Sequence, residues 1–434
     1  MNALPFPRAA RRAAFRLSAL PPTLCAFLAL SLAACSGGDA GGEWAGTELD
    51  SAGIHLVHNP AEGLWSEGEA WTFEEDLRIG ALEGPVELQF GQITAMDVDA
   101  EGNIYVADSQ AQEIRVFGSD GSHLRTLGGP GNGPGELGGQ LTAVFADDDG
   151  RVRVVDLMNQ RVNTFAPDGS SAGSFPLDMT GGIPMRWEEL PSGRLLAQLR
   201  GMNMPGMDAH EEGDPLVVFS DEGEVVDTVH YLPRGQMMDF SGGVPSFTLF
   251  ETEPLWEAGP GGTLLTAVNT DYRVQVRDAD ASIRHVLTRP FERRPVEEAD
   301  KEVFLRLMRQ AMEDQGQAPP QAIDMMMDRV SFAESYPAFG NLLAGPLGSV
   351  WVQRILTASD VRGEEDVEID PQDLGSPDWD VFDPQGRFLG VVTLPRRFTP
   401  MTVREDALYG VWLDDLDVQH VLRLRIQGAS TPTT

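Results

Sequence analysis

The side chains best suited to chemistry in this 434-residue chain fall into three groups. The first is Asp97-x-Asp99-x-Glu101-Gly102-x-Ile104, with Asp108 further on. Alternating carboxylates around a glycine mimic a calcium loop, in which oxygen donors at every second position wrap a hard cation. Here the flanks read as strands rather than helices, and the last acid is Asp rather than Glu. A hairpin turn rich in Asp and Gly accounts for the same letters. The second group is Met202-x-Met204-x-x-Met207, with His210 close by. Thioethers are soft ligands suited to Cu(I); equally, methionines fill irregular gaps against neighbouring strands. The third is the set of seven histidines: His55, His58, His123, His210, His230, His285 and His420. A three-His zinc site needs convergence at about 2.0–2.1 Å, and no histidine recurs in register along the chain. His55 and His58 lie three apart on a strand, so they face opposite sides and cannot chelate together.

Other motifs add little. Asp147-Asp148-Asp149 and Asp414-Asp415-x-Asp417 read as exposed acidic loops. The glycine-rich stretch 128–137, GGPGNGPGEL, has no helix pattern after it and no Lys nearby, so it is a connection rather than a phosphate cradle. No Gly-x-Ser-x-Gly elbow, His-Glu-x-x-His helix or Walker-type loop occurs. On these grounds no catalytic, cofactor-binding or metal-ligating residue is assigned. The cofactor stays unknown, with calcium and copper the ions whose ligand types are present.

The elements that must position any site are strands. GNIYVADSQAQEIRVFGSDG, 102–121, reads as two short strands rich in Ile, Val, Tyr and Phe, followed by an Asp-Gly turn. It recurs 48 residues later as GRVRVVDLMNQRVNTFAPDG, which sets Asp156 against Asp108, Phe165 against Phe117 and Asp168-Gly169 against Asp120-Gly121. A period of 40 to 50 residues with several strands per repeat marks a β-propeller blade. Two clear blades at 92–127 and 141–177 are followed by four looser ones. These start near Gly193, Gly262, Gly348 and Ala407, so the expected fold is all-β, a six-bladed propeller spanning 48–427. The last unit stops without an outer strand. The piece ending in Leu77-Arg78-Ile79-Gly80 has no blade before it, so it is expected to complete that unit and close the ring. Between blades four and five, 293–335 breaks the pattern. Val303, Phe304, Leu307, Met308, Ala311 and Met312 fall on one helical face, and after Pro319-Pro320 so do Ile323, Met326, Met327 and Val330. A helical hairpin is expected there, packed on the rim or lying over a channel mouth.

The formal charge is −35, and residues 1–34 hold four Arg and no acid, so the remainder is more acidic still. Such a surface repels phosphate backbones and speaks against nucleic-acid binding. The two cysteines, Cys25 and Cys35, both lie near the N-terminus, leaving the body without disulfide or thiol chemistry. Arg8, Arg11, Arg12 and Arg16 precede an apolar run, Leu17 to Leu32, too short and interrupted for a membrane span. It ends in Leu32-Ala33-Ala34-Cys35, which resembles a bacterial lipoprotein signal. The expectation is a signal peptide over 1–34, lipidation at Cys35, a flexible tether over 35–47 and a disordered tail over 428–434. Two or more acyl chains give stable membrane anchoring. Ser36 after the cysteine favours the outer membrane, by resemblance to enterobacterial lipoproteins.

The Gly-x-Ile-Tyr-Val-Ala-Asp…Arg-Val-Phe…Asp-Gly repeat resembles NHL-repeat propellers. The DSAG opening at 50–53, the early Ile79-Gly80 strand end and the GPGEL connector are similar to a six-bladed propeller family of bacterial lipoproteins. That resemblance implies a fold and a compartment, not an activity. Some relatives of this type are enzymes. Amidating-lyase relatives hold zinc with inward histidines, and lactonase relatives hold calcium with inward Glu, Asn and Asp. The functional expectation is a binding or scaffold module for a protein, peptide or glycan, more a binder than an enzyme. The alternative is an envelope hydrolase or lyase with a metal at the channel mouth.

Overall fold

The computed structural model describes residues 44–428 except 148, 180, 202–210, 236–245, 315–318, 358–359 and 361–374. The expected signal peptide, Cys35 and the tail after 428 lie outside the described residues, as does the Met202–His210 loop.

Six blades, each of four antiparallel strands, follow one another along the chain; five are four-stranded sheets and blade four is extended to six strands. Their innermost strands are Ile93–Val98, Leu141–Ala146, Ile183–Glu189, Pro254–Gly259, Leu342–Ala344 and Phe398–Arg404. Strands are short and dense in Val, Ile, Leu and aromatic residues because both faces of each sheet are covered by the neighbouring sheets. The apolar core is accordingly divided into six clusters, one in each gap between consecutive sheets. Tyr105, Ile114, Val152 and Phe165 fill the first gap. Leu343, Trp351, Leu408 and Leu422 fill the fifth, and Ile93, Phe117, Ala407 and Val421 join the sixth sheet back to the first. This is a closed six-bladed β-propeller.

Closure is made as the sequence predicts. Thr72–Ile79 is the outermost strand of blade six, antiparallel to Gln419–Gln427, with Ile79 opposite Val421 and Leu77 opposite Arg423. Asp76 receives Arg423 at 2.6 Å and Arg425 at 2.7 Å, so an ion pair seals the seam as well as the ladder. The Asp-Gly turn of blade one abuts the same strand. Gly121 has φ +81°, and a Cβ there would meet Leu77 Cδ1 at 2.8 Å, so the turn and the close approach both require glycine.

Two features depart from the sequence reading. Trp44, inside the expected tether, is held in place: its Nε1 donates to Asn59 Oδ1 at 3.2 Å. The hairpin Thr47–Ser51 and Ile54–His58 then adds to the outer edge of blade four, Ile54–His58 running parallel to Ile283–Thr288. That pairing covers an edge that would otherwise expose unpaired N–H and C=O groups. The second concerns the insertion. Helices α1 (Glu298–Asp314) and α2 (Pro320–Met327) lie between blade four's outer strand and the short strand Val330–Phe332. Val330 is therefore in a strand, not on the second helix. Val330–Phe332 pairs in parallel with Phe247–Leu249, a partner too distant in sequence for local periodicity to reveal. Phe250, Phe304, Phe332 and Tyr336 bind α1 to this pair through ring contacts of 4.6–6.0 Å.

Candidate functional site: an axial cavity of paired charges

The inner strands of four blades enclose an axial cavity of about 1080 Å³, with Asp97, Arg153, Arg186, Glu188, Glu189 and Arg404 among its walls. Each charge has a structural cause. The strand Ile93–Val98 buries Ile93, Ala95 and Met96 and leaves Asp97 on its axial side, half-buried. Its Oδ1 accepts from the Val98 N–H at 2.8 Å and its Oδ2 from the Ala146 N–H at 2.8 Å, so one carboxylate splices blade one's inner strand to blade two's. Burial pushes the Asp97 carboxyl up to about 7, Glu189's charge adds to the rise, and the two N–H donors and Arg404 oppose it.

Blade three's inner strand carries Arg186-Trp187-Glu188-Glu189. Arg186 donates to Glu188 Oε1 at 3.2 Å and to Glu257 of blade four, and its guanidinium stands 5.6 Å from the Trp256 ring. The arginine lies deep between blades, yet 43 % of its side chain is open to the cavity. Burial pushes Glu188 up to about 8, with Glu257's repulsion adding and Arg186 opposing. Burial raises Glu257 as well, against Arg186 and the Ala344 N–H. Nearer the rim, Arg153 bonds Asp147 Oδ1 at 2.9 Å, the Gly193 carbonyl at 2.6 Å, and Glu189. The walls thus offer carboxyls and guanidiniums that already face one another, around an open volume. That suits a neutral or zwitterionic polar ligand able to share both signs of charge.

The residues weighed from sequence are scattered. Asp99 caps a hairpin turn, accepting from the Asn103 N–H and Nδ2 at 2.8 Å and the Tyr105 hydroxyl at 3.0 Å, while Asp97 faces the axis; they share no ion. Asp108 accepts four backbone N–H groups and pairs with Arg115, fixing the linker into blade one. His58 bonds Thr288 Oγ1 at 2.8 Å, His123 bonds Thr126 Oγ1 at 3.0 Å and His420 bonds Asp414 Oδ2 at 3.1 Å. His55 pairs with Glu48 and Asp50, His285 is buried against Gly386 of blade five, and His230 lies in a side cleft. Asp147 and Asp149, read as a plain acidic loop, in fact line the cavity rim. Among the described residues no three acidic, imidazole or thiol side chains gather at one point. The described part of the helical insertion does not line the cavity.

A family described as a 6-bladed beta-propeller matches residues 76–181, from the closing strand to the end of blade two. The chain is a six-bladed β-propeller. Similar solved structures include a Bacteroides fragilis protein named as an exported protein (13 % identity, 86 % of this chain, 99 % of that one, TM-score 0.49). A member of the duf4221 family from Bacteroides vulgatus is also similar (11 %, 84 % and 100 %, TM-score 0.43). So is the virginiamycin B lyase of Staphylococcus aureus (10 %, 82 % and 99 %, TM-score 0.40). No curated protein matches.

Proposed function

We propose that this propeller is an exported, lipid-anchored binding module of the bacterial cell envelope, in the manner of NHL-repeat proteins, and that its axial cavity receives a polar segment of a protein, peptide or glycan. The observation that carries this reading is the cavity itself. A rigid ring holds about 1080 Å³ open at its axis, and the charges on its walls are placed by strand register and already bonded to one another. Such walls recognise by complementarity without reorganising, which is how a fixed scaffold binds. The N-terminal charge pattern, apolar run and Leu32-Ala33-Ala34-Cys35 support export and anchoring, with the outer membrane favoured by Ser36.

Screening the purified protein against peptide and glycan arrays is the test. A ligand is expected whose affinity falls about tenfold in Glu188→Gln and in Arg404→Gln, as for loss of one hydrogen bond. Ligands indifferent to both substitutions would remove the cavity from the binding function. For the address, Cys35→Ser is expected to move the protein from the membrane fraction to the soluble extracytoplasmic fraction. Retention on the membrane would discard the anchor.

One feature favours the second reading, a hydrolase or lyase at the same cavity. Asp97 and Glu188 are pushed up to about 7 and about 8, the range in which a general acid operates near neutrality. Turnover of an array ligand, abolished in Glu188→Gln while binding persists, would select it.

A further inference from the structure

In four of the six blades the third strand ends on a buried phenylalanine. Phe117, Phe165, Phe219 and Phe382 stand opposite Ile104, Val152, Leu195 and Val350, and none is more than 1 % exposed. In blade six the position is Arg425, opposite Ala407, and two carboxylates take its charge, Asp76 at 2.7 Å and Asp406 at 2.9 Å. In blade four it is Arg277, opposite Leu264. Its guanidinium donates to Thr266 Oγ1 at 3.0 Å, to the Ala281 carbonyl at 2.7 Å and to Gln275 Oε1, all neutral oxygens. Among the described residues no carboxylate pairs with Arg277, nor with Arg273 on the same face of the strand. Arg161 likewise meets only carbonyl oxygens, those of Asn132, Gly133 and Glu136, so what sets Arg277 apart is the open cleft beside it.

The surroundings form a cleft. Strand alternation sends Val274 and Val276 toward blade five, where they are buried, and leaves Arg273, Gln275 and Arg277 facing blade three. The inner part of that gap is apolar, filled by Leu216, Trp256 and Leu264. Beside it opens a space of about 380 Å³, completed by His230 and Tyr231 from blade three's outer strand and by Thr270 and Asp271, whose carboxylate is paired with Arg293 at 3.6 Å. Burial, with Arg277's charge adding, holds His230 below the ordinary imidazole value, so the ring is neutral and offers one donor and one acceptor. Burial also lowers Arg277, but a guanidinium keeps its charge at any physiological pH.

We propose that this cleft is an anion site. The guanidiniums of Arg277 and Arg273 take an oxyanion, carboxylate or phosphate, carried by a small polar ligand that also meets His230. A partly desolvated charge without a counter-charge is costly, and an incoming oxyanion supplies what the fold withholds. The planar fork of arginine matches either oxyanion in two-point fashion. The volume is at the small end of ligand sites, which run from about 300 to 1,000 Å³.

Calorimetric titration of the purified full chain with D-glucuronate and with inorganic phosphate, using D-glucose as the neutral control, tests the site. Saturable binding of at least one anion and none of glucose is expected, weakened about tenfold in Arg277→Gln and in Arg273→Gln. Phosphate binding alone assigns a phosphate ester, and glucuronate binding alone a carboxylate. Arg277 also braces three oxygens of its own blade, so if that variant is unstable the exposed Arg273 carries the test. Binding left unchanged by Arg273→Gln, or no saturation with either anion, overturns the proposal.

Discussion

Replacing Asp380 by alanine is expected to lower the unfolding free energy by about 3–5 kcal/mol, the range for breaking a buried charge pair from one side. Asp380 lies on the third strand of blade five with its carboxylate fully enclosed. Its Oδ2 accepts from the Tyr272 hydroxyl at 2.6 Å and from Arg289 at 2.9 Å, both of blade four. Its Oδ1 accepts from Arg354 Nε of its own blade at 2.8 Å. One carboxylate therefore answers two guanidiniums and a phenol across a blade interface. Arg289 is further fixed, lying 4.1 Å over the Phe388 ring and donating to the Ala61 carbonyl at 2.7 Å. Alanine would leave the buried Tyr272 hydroxyl without its acceptor and both guanidiniums without a counter-charge, relieved only in part by water in the cleft that Arg289 and Arg354 border. Asn, which keeps the shape and one acceptor, should lose less than Ala. Denaturant unfolding measures both, as a midpoint shift at unchanged slope. A loss below about 1 kcal/mol for Asp380→Ala would mean that the cluster is merely balanced and does not hold the blades.

Blades one and two were legible because their signals are local. Asp108 and Asp156 end equivalent strands and each holds the linker that enters its own blade, at Gly91 and Gly138, and Gly121 and Gly169 make the same turn 48 residues apart. The closing strand was legible by subtraction, since the repeat left Leu77–Ile79 without a blade of its own. The N-terminal hairpin on blade four was not. Its register, His55 opposite His285, joins segments 230 residues apart, and nothing in either stretch names the other. The axial site was hidden differently. Its letters were in view, but Asp97 was grouped with Asp99 as a turn acid, although the repeat sets Phe145 in its place on the inner strand. Arg277, where other blades have phenylalanine, carries the same kind of mark. In both cases the usable signal was a charge occupying an apolar position of the repeat, and it was masked by reading each motif along the chain instead of across the blades. Arg186, Glu188 and Glu257 could not be grouped that way, because the third and fourth inner strands have drifted from the repeat and only the ring brings them together.

The stability of the protein is expected to fall as pH rises through neutrality, which is the reverse of what ordinary salt-bridged carboxylates give. Glu188 sits at about 8 in the fold against an ordinary 4.5, and Asp97 at about 7 against 3.8. Between those limits the folded state binds more protons than the unfolded chain, so each step up in pH favours unfolding. His285 acts in the opposite direction. It is buried against Gly386 of blade five with its Nε2 unpartnered, and burial, then Arg284 and His55, drive it down to about 4 from 6.5. Its contribution is present above 6.5 and lost as pH falls toward about 4. The two carboxyls outweigh the one imidazole where their windows overlap, and act alone above 6.5, so the optimum lies on the acid side of neutrality. Glu188→Gln separates the two effects. Gln cannot ionise, and Arg186 keeps Glu257 as its partner. At pH of about 9 the variant should exceed the parent by on the order of 3 kcal/mol, since ionising a carboxyl held this far above its ordinary value costs roughly 1.4 kcal/mol for every tenfold change in its acidity, less what water in the open cavity restores. Near pH 5 the two should nearly coincide. Thermal unfolding across that range decides it. Parallel curves for parent and variant would mean that water in the cavity already solvates Glu188, and that the axial carboxyls ionise as they do at an open surface.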